Sequence, residues 1–126
     1  GGQSWQDLMI TLNNDLYAIC FLNKEIGFAG GQNGVLIRTA DGGSTWSLVR
    51  TGLHFNISSI RFFGMDQGVI VSEYGEIATT TDGGLTWQKE CPGGNGVFSL
   101  QKVAIRDPKT VFAVQNGSIF QYDITP

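Results

Sequence analysis

Histidine occurs once in this 126-residue sequence, cysteine twice and proline three times. Two cysteines make no disulfide framework. A lone histidine without any C-x-x-C pair excludes the common zinc spacings, so neither a metal nor a cofactor is expected. Charge is scarce as well: 15% of residues carry it, and the net value is −3. Nucleic-acid recognition draws on a basic patch, so no nucleic-acid partner is expected. No apolar run approaches the roughly 18 residues of a membrane span. No segment holds an apolar i, i+3, i+4, i+7 pattern over a helical length.

Glycine and hydrophobic residues are plentiful instead, at 18 residues and 41%. Such an apolar fraction with so little charge excludes disorder. The glycines follow no G-X-Y period, so they read as tight turns rather than collagen. The length suits a single domain spanning 1–126.

An internal repeat decides the architecture. The segment from Ile19 to Trp46 aligns without a gap on that from Ile60 to Trp87, at a shift of 41 residues. Ile19 falls on Ile60, Phe21 on Phe62, Gly34 on Gly75, Asp41 on Asp82 and Trp46 on Trp87. The opening GGQSW matches the end of the same motif, with Trp5 lying 41 residues before Trp46. Downstream, VFAVQNGSIFQYD matches VIVSEYGEIATTT at a shift of 42, with Gly117 on Gly75.

Local signals within each repeat are β. The runs ISSIRFF, GVIVSEY and EIATTT are rich in β-branched and aromatic residues. Asn33-Gly34, Tyr74-Gly75 and Asn116-Gly117 separate such runs, as tight hairpin turns with φ > 0 require. Four strands, A to D, fit each unit: Ile57–Phe63, Gly68–Glu73, Glu76–Thr81 and Thr86–Glu90 in the second repeat. A four-stranded meander of this length is a β-propeller blade. The fold expected is all-β, with three four-stranded blades in the order D-ABCD-ABCD-ABC.

The most specific motif is D-G-G-x-T-W, present at Asp41, Gly42, Gly43, Thr45 and Trp46, and again at Asp82, Gly83, Gly84, Thr86 and Trp87. The aspartates can accept hydrogen bonds from turn N–H groups, and the glycines permit φ > 0. The tryptophans open strand D and can pack between sheets, a role expected of Trp5 too. This turn resembles the Asp-box of sialidase-like propellers, where it sits on the rim and is structural. The wider pattern, I-x-F…G-(F/V)-x-(V/G)-x-x-x-G-x-(I/L)-x-x-T-x-D-G-G-x-T-W, resembles the photosystem II assembly and stability factor-like repeat family. That resemblance covers Gly1 to Tyr122. It implies a non-catalytic propeller that binds or helps to assemble other proteins, without implying photosynthesis. The compartment stays open, with the resemblance to Asp-box proteins leaning towards an extracytoplasmic one.

Enzymatic readings fare poorly. A sialidase clamps its substrate carboxylate with an arginine cluster, and only Arg61 and Arg106 of the four arginines are placed to face a propeller axis. Glycoside hydrolysis needs two carboxylates across a cleft. Asp15, Glu25, Asp66, Glu73, Glu76 and Asp107 are candidates, but they read as solvated loop charges. Cys20 and Cys91 fall on an innermost and an outermost strand and are expected to be reduced. Asn56-Ile57-Ser58 and Asn116-Gly117-Ser118 match the glycosylation sequon.

Binding is expected on the face shared by D–A connections and B–C turns. Asn33, His54, Phe55, Glu73, Tyr74 and Asn116 fall there, with Arg61 as a further candidate. Aromatic side chains dominate interface energetics, so Phe55, Tyr74 and Phe98 are candidate anchors, with Phe55 and Phe98 also readable as plugs over the core. A protein partner is expected, and a glycan is the alternative. Three blades fall short of the 4–8 of closed rings. The chain is therefore expected either to pair as a homodimer into a six-bladed ring, with Ser4–Ile10 as a D strand completing a last sheet, or to be part of a longer propeller.

Overall fold

The computed structural model describes residues 4–8, 10, 12–92 and 102–124. Eleven strands form three antiparallel sheets among these residues. Blade 1 comprises β1 (Leu16–Phe21), β2 (Gly27–Gly31), β3 (Leu36–Thr39) and β4 (Ser47–Val49). Blade 2 comprises β5 (Ile57–Phe63), β6 (Gln67–Ser72), β7 (Glu76–Thr80) and β8 (Gln88–Pro92). Blade 3 holds β9 (Lys102–Asp107), β10 (Thr110–Gln115) and β11 (Ser118–Asp123). The only helical element among the described residues is a 3-10 turn at Gln32–Gly34. The second repeat's expected strands agree with β5–β8 to within two residues at each end. Each sheet is a meander in sequence order, and β5 lies against both β1 and β9. The first strand of each blade thus faces the inside of the fan.

Two apolar layers join the blades. Phe28 and Leu36 of blade 1 pack with Ile57, Ile70 and Ala78 of blade 2. Val69, Val71 and Ile77 of blade 2 pack with Ile105 and Val111 of blade 3. Alternate strand residues therefore serve opposite neighbours, which is why β6 is buried on both sides. Glycine has a specific use at Gly27 and Gly68. Each pairs across the sheet with a phenylalanine, Phe21 or Phe62, and the ring lies where a Cβ would stand, with atoms 2.7 Å from it.

The third repeat departs from the gap-free alignment. Three residues, Glu73 to Gly75, join β6 to β7, but only two, Asn116 and Gly117, join β10 to β11. Asn116 and Gly117 take φ of 48° and 79°. Because side chains alternate with period two, the lost residue turns β10 over. Five residues separate the paired Gly30 and Leu36, and the paired Val71 and Ile77, but only four separate the paired Val114 and Ile119. Phe112, not Val111, therefore stands where Val69 and Phe28 stand. Val111 and Ala113 are buried towards blade 2, and Phe112 points away from it. In the second turn, only Gly75 has positive φ, not Tyr74.

The D strand expected at Ser4–Ile10 is a further difference. Residues 4–8 adopt no strand, Trp5 is fully exposed, and the third sheet has three strands. The strands that follow Asp41 and Asp82, by contrast, each pair with the preceding strand of their blade.

Candidate functional site

The Asp-boxes fold as local hydrogen-bonded units. In blade 1, Asp41 Oδ1 accepts from Thr45 N–H at 2.9 Å and from the Thr39 hydroxyl at 2.8 Å. Its Oδ2 accepts from the Thr45 hydroxyl at 2.6 Å. Gly43 N–H donates to Thr39 Oγ1, and Trp46 Nε1 donates to the Gly43 carbonyl, both at 2.9 Å. Blade 2 repeats the pattern with Thr80, Asp82, Gly84, Thr86 and Trp87. Gly42, Gly43, Gly83 and Gly84 have φ between 74° and 100°. The Thr45 and Thr86 hydroxyls, helped by turn N–H groups, lower Asp41 and Asp82 to about 2. Both carboxylates are consumed by their own turns. Thr39 and Thr80 were visible in the T-x-D-G-G pattern, yet their role as anchors needs the turn geometry to be seen.

A different cluster forms on the face of the β4–β5 connection and the β6–β7 turn. At its centre is Glu76, whose side chain is fully buried rather than a solvated loop charge. Its carboxylate accepts from the N–H groups of His54 and Phe55, each at 2.9 Å by the closer oxygen, and from Lys89 Nζ at 2.9 Å. The His54 ring nitrogen Nδ1 lies 3.2 Å away. Burial pushes the Glu76 carboxyl up, but Lys89 and the two N–H groups together outweigh it and hold the carboxyl below its ordinary value. Glu76 thereby clamps the 54–55 backbone to the start of β7. One residue further on, Asn56 Oδ1 accepts from Asn33 N–H of blade 1 at 3.0 Å, and its carbonyl accepts from Glu73 N–H. Thr51 adds a second tie, donating to the Gly34 carbonyl.

On this frame Phe55 and Tyr74 meet edge to face, 4.6 Å between ring centres. Phe55 is 40% exposed, so it is no plug over the core. The structure thus gathers Asn33, His54, Phe55, Glu73 and Tyr74 around two blades. It places Arg61 elsewhere: Arg61 donates to the Ile105 carbonyl of blade 3, with its guanidinium 4.8 Å from the Phe63 ring. Asn116 is taken up by the β10–β11 turn, and Phe98 lies outside the described residues. Arg106 pairs with Asp107, so the two arginines expected near the axis serve separate partners. Among the described residues no three His, Cys, Asp or Glu groups converge as a metal site.

Residues 1–91, with both Asp-boxes, match the family described as Photosynthesis system II assembly factor YCF48. The chain belongs to that family. Among solved structures it is similar to YCF48 bound to D1 peptide, with 25% identity and a TM-score of 0.70 over 90% of this chain and 39% of the other. It is also similar to YCF48 from Cyanidioschyzon merolae, with 22% identity and a TM-score of 0.74 over 94% of this chain and 40% of the other. The chain spans about two fifths of the length of these YCF48 structures. No curated protein matches it. The resemblance read from the repeats and the all-β propeller fold are both upheld by these matches.

Proposed function

We infer that this YCF48-family chain is a non-catalytic scaffold that binds a segment of a partner protein on the loop face of blades 1 and 2. The observation that carries the reading is the Phe55–Tyr74 pair, presented on a loop that Glu76 and Asn56 hold in place. Rigid aromatic side chains offer large contact area with little entropy to lose, and preorganisation adds to affinity. Free N–H and C=O groups of an extended peptide would find the exposed His54 ring and the Asn33 side chain beside them. A structure of YCF48 with D1 peptide supports a polypeptide as the ligand class. Against catalysis by three of the carboxylates stand their partners: Asp41, Asp82 and Glu76 each accept several hydrogen bonds within the fold.

Fluorescence anisotropy with a labelled D1 peptide and a scrambled control tests this. The F55A/Y74A double variant, checked for unchanged circular dichroism, is expected to weaken D1 peptide binding by at least about tenfold, as loss of a paired aromatic anchor does. Equal binding by both proteins, or retention of a glycan in place of the peptide, would overturn the reading.

A further inference from the structure

Glu76 and Lys89 of the second repeat stand where the first repeat has Val35 and Leu48. Both positions change together, so the shared fold of a blade does not call for charge there. Lys89 sits on β8 opposite Ala78 of β7, and Glu76 lies two residues along the same face of that strand. A β-bulge in β8 adjoins this pairing, and bulges re-aim side chains. In blade 1 the register runs unbroken, with Leu36 opposite Val49 and Ile37 opposite Leu48.

The Glu76 carboxylate divides its work between two oxygens. Oε1 accepts from the N–H groups of His54 and Phe55, both at 2.9 Å. Oε2, also 3.1 Å from the His54 N–H, faces Lys89 Nζ at 2.9 Å and His54 Nδ1 at 3.2 Å. Lys89 Nζ and His54 Nδ1 are themselves 3.4 Å apart. The Ser72 hydroxyl accepts from the Glu76 N–H and leaves the carboxylate alone. Among the described residues, Lys89 is thus the one permanent cation on a carboxylate without solvent exposure. A buried charge stripped of its partner is strongly destabilising, and the stripped oxygen would belong to the group that ties down the loop. The substitute cation at hand is the His54 side chain, which is 74% exposed and charged only when protonated.

We propose that Lys89 is a positioning residue for the loop-face site: as the counter-charge of Glu76, it holds the 54–55 backbone, and with it Phe55, in the arrangement that meets a partner segment. The inference rests on the reading of that face as a peptide site. Lys89 acts from behind the site, because a loop already ordered loses less entropy when a ligand binds. Lysine stays charged across neutral pH, whereas histidine titrates there. With Lys89 in place the clamp holds evenly between about pH 6 and about pH 8. Without it the charge balance falls to His54, and the clamp slackens as rising pH takes the proton from the ring.

Amide hydrogen exchange followed by NMR, with D1 peptide anisotropy beside it, tests this on the parent, K89M and K89R. In K89M at about pH 8 the protection factors of the His54 and Phe55 amides should fall at least about tenfold, and at about pH 6 by much less. K89R restores the charge and should restore most of the protection. D1 peptide should bind K89M at least about fivefold more weakly than the parent at the higher pH, and nearly equally at the lower. Parent-like protection of the two amides in K89M, a loss spread evenly to the amides of β2 and β6, or a loss that K89R fails to repair would each overturn the proposal. A parent that binds no D1 peptide removes the loop-face reading and the proposal with it. A parent that binds, beside a K89M that binds equally well at both pH values, overturns the proposal alone.

Discussion

The two Asp-boxes carry the same six hydrogen bonds and differ in what lies under the tryptophan. In blade 2 the ring of Phe28 completes a three-ring stack across the blade junction. In blade 1, Trp46 meets Phe21 alone among the rings of the described residues. The turn is therefore a product of its own blade, built from six local residues and one backbone tie, Gly42 N–H to the Glu25 carbonyl or Gly83 N–H to that of Asp66, whatever the neighbouring blade does. The aromatic slot beneath the tryptophan is a property of two adjacent blades, and no single repeat can specify it. Repeats of one sequence pattern can therefore share a turn and still differ at their blade junctions.

The sharpest way to break the comparison is to remove the ring that distinguishes the boxes. F28A should destabilise the chain by about 3–5 kcal/mol, the range for truncating a buried phenylalanine. F112A at the equivalent but outward, half-buried position should cost less, about 1–2 kcal/mol. Urea unfolding monitored by circular dichroism measures both. Equal losses would mean that Phe28 does not join the blades. A smaller contrast is expected at the glycines. Gly43 and Gly84 both have positive φ, so alanine at either costs about 1–2 kcal/mol from the backbone alone. G84A must also displace the Phe28 ring, adding about 1–3 kcal/mol of overpacking, which G43A avoids. Melting temperatures that fall equally for the two variants would show the slots to be alike.

Most of the architecture was legible in the residues. Period-two runs, N-G turns and the 41-residue shift fixed the strands of blades 1 and 2, because each is a local signal. Three features were not. The turn at Asn116-Gly117 is one residue shorter than its counterparts, and a gap-free alignment hides the reversal of β10 that follows. Glu76 looked like a loop charge because its partners, His54 and Phe55 N–H and Lys89, lie 13 to 22 positions away along the chain. Trp5 looked like a third packed tryptophan, but a tryptophan packs only when a sheet and a neighbouring blade enclose it. The loop face was predicted as a region, and the sequence could list its residues without saying that Phe55 and Tyr74 touch.

The smallest effect expected concerns acid, and it tests whether the shared half of the comparison is truly shared. Asp41 and Asp82 both sit at about 2 in the folded chain, below an ordinary 3.8, with the Thr45 and Thr86 hydroxyls as the leading cause. A carboxyl lowered by folding stabilises the folded state above its unfolded value and loses that contribution as pH falls through the folded one. The two turns should therefore hold fully above pH 4 or so and weaken together as the pH drops towards 2. T45V and T86V remove the largest donor in each box, so each should raise its own aspartate and start the loss at higher pH. The carboxyl carbons of the two aspartates, followed by NMR, should titrate with indistinguishable midpoints, since their donors are identical and both carboxylates face solvent. An Asp41 midpoint near 3.8 beside an Asp82 midpoint near 2 would show that the Phe28 ring shapes the turn as well as the slot. The autonomy of the Asp-box would then be lost.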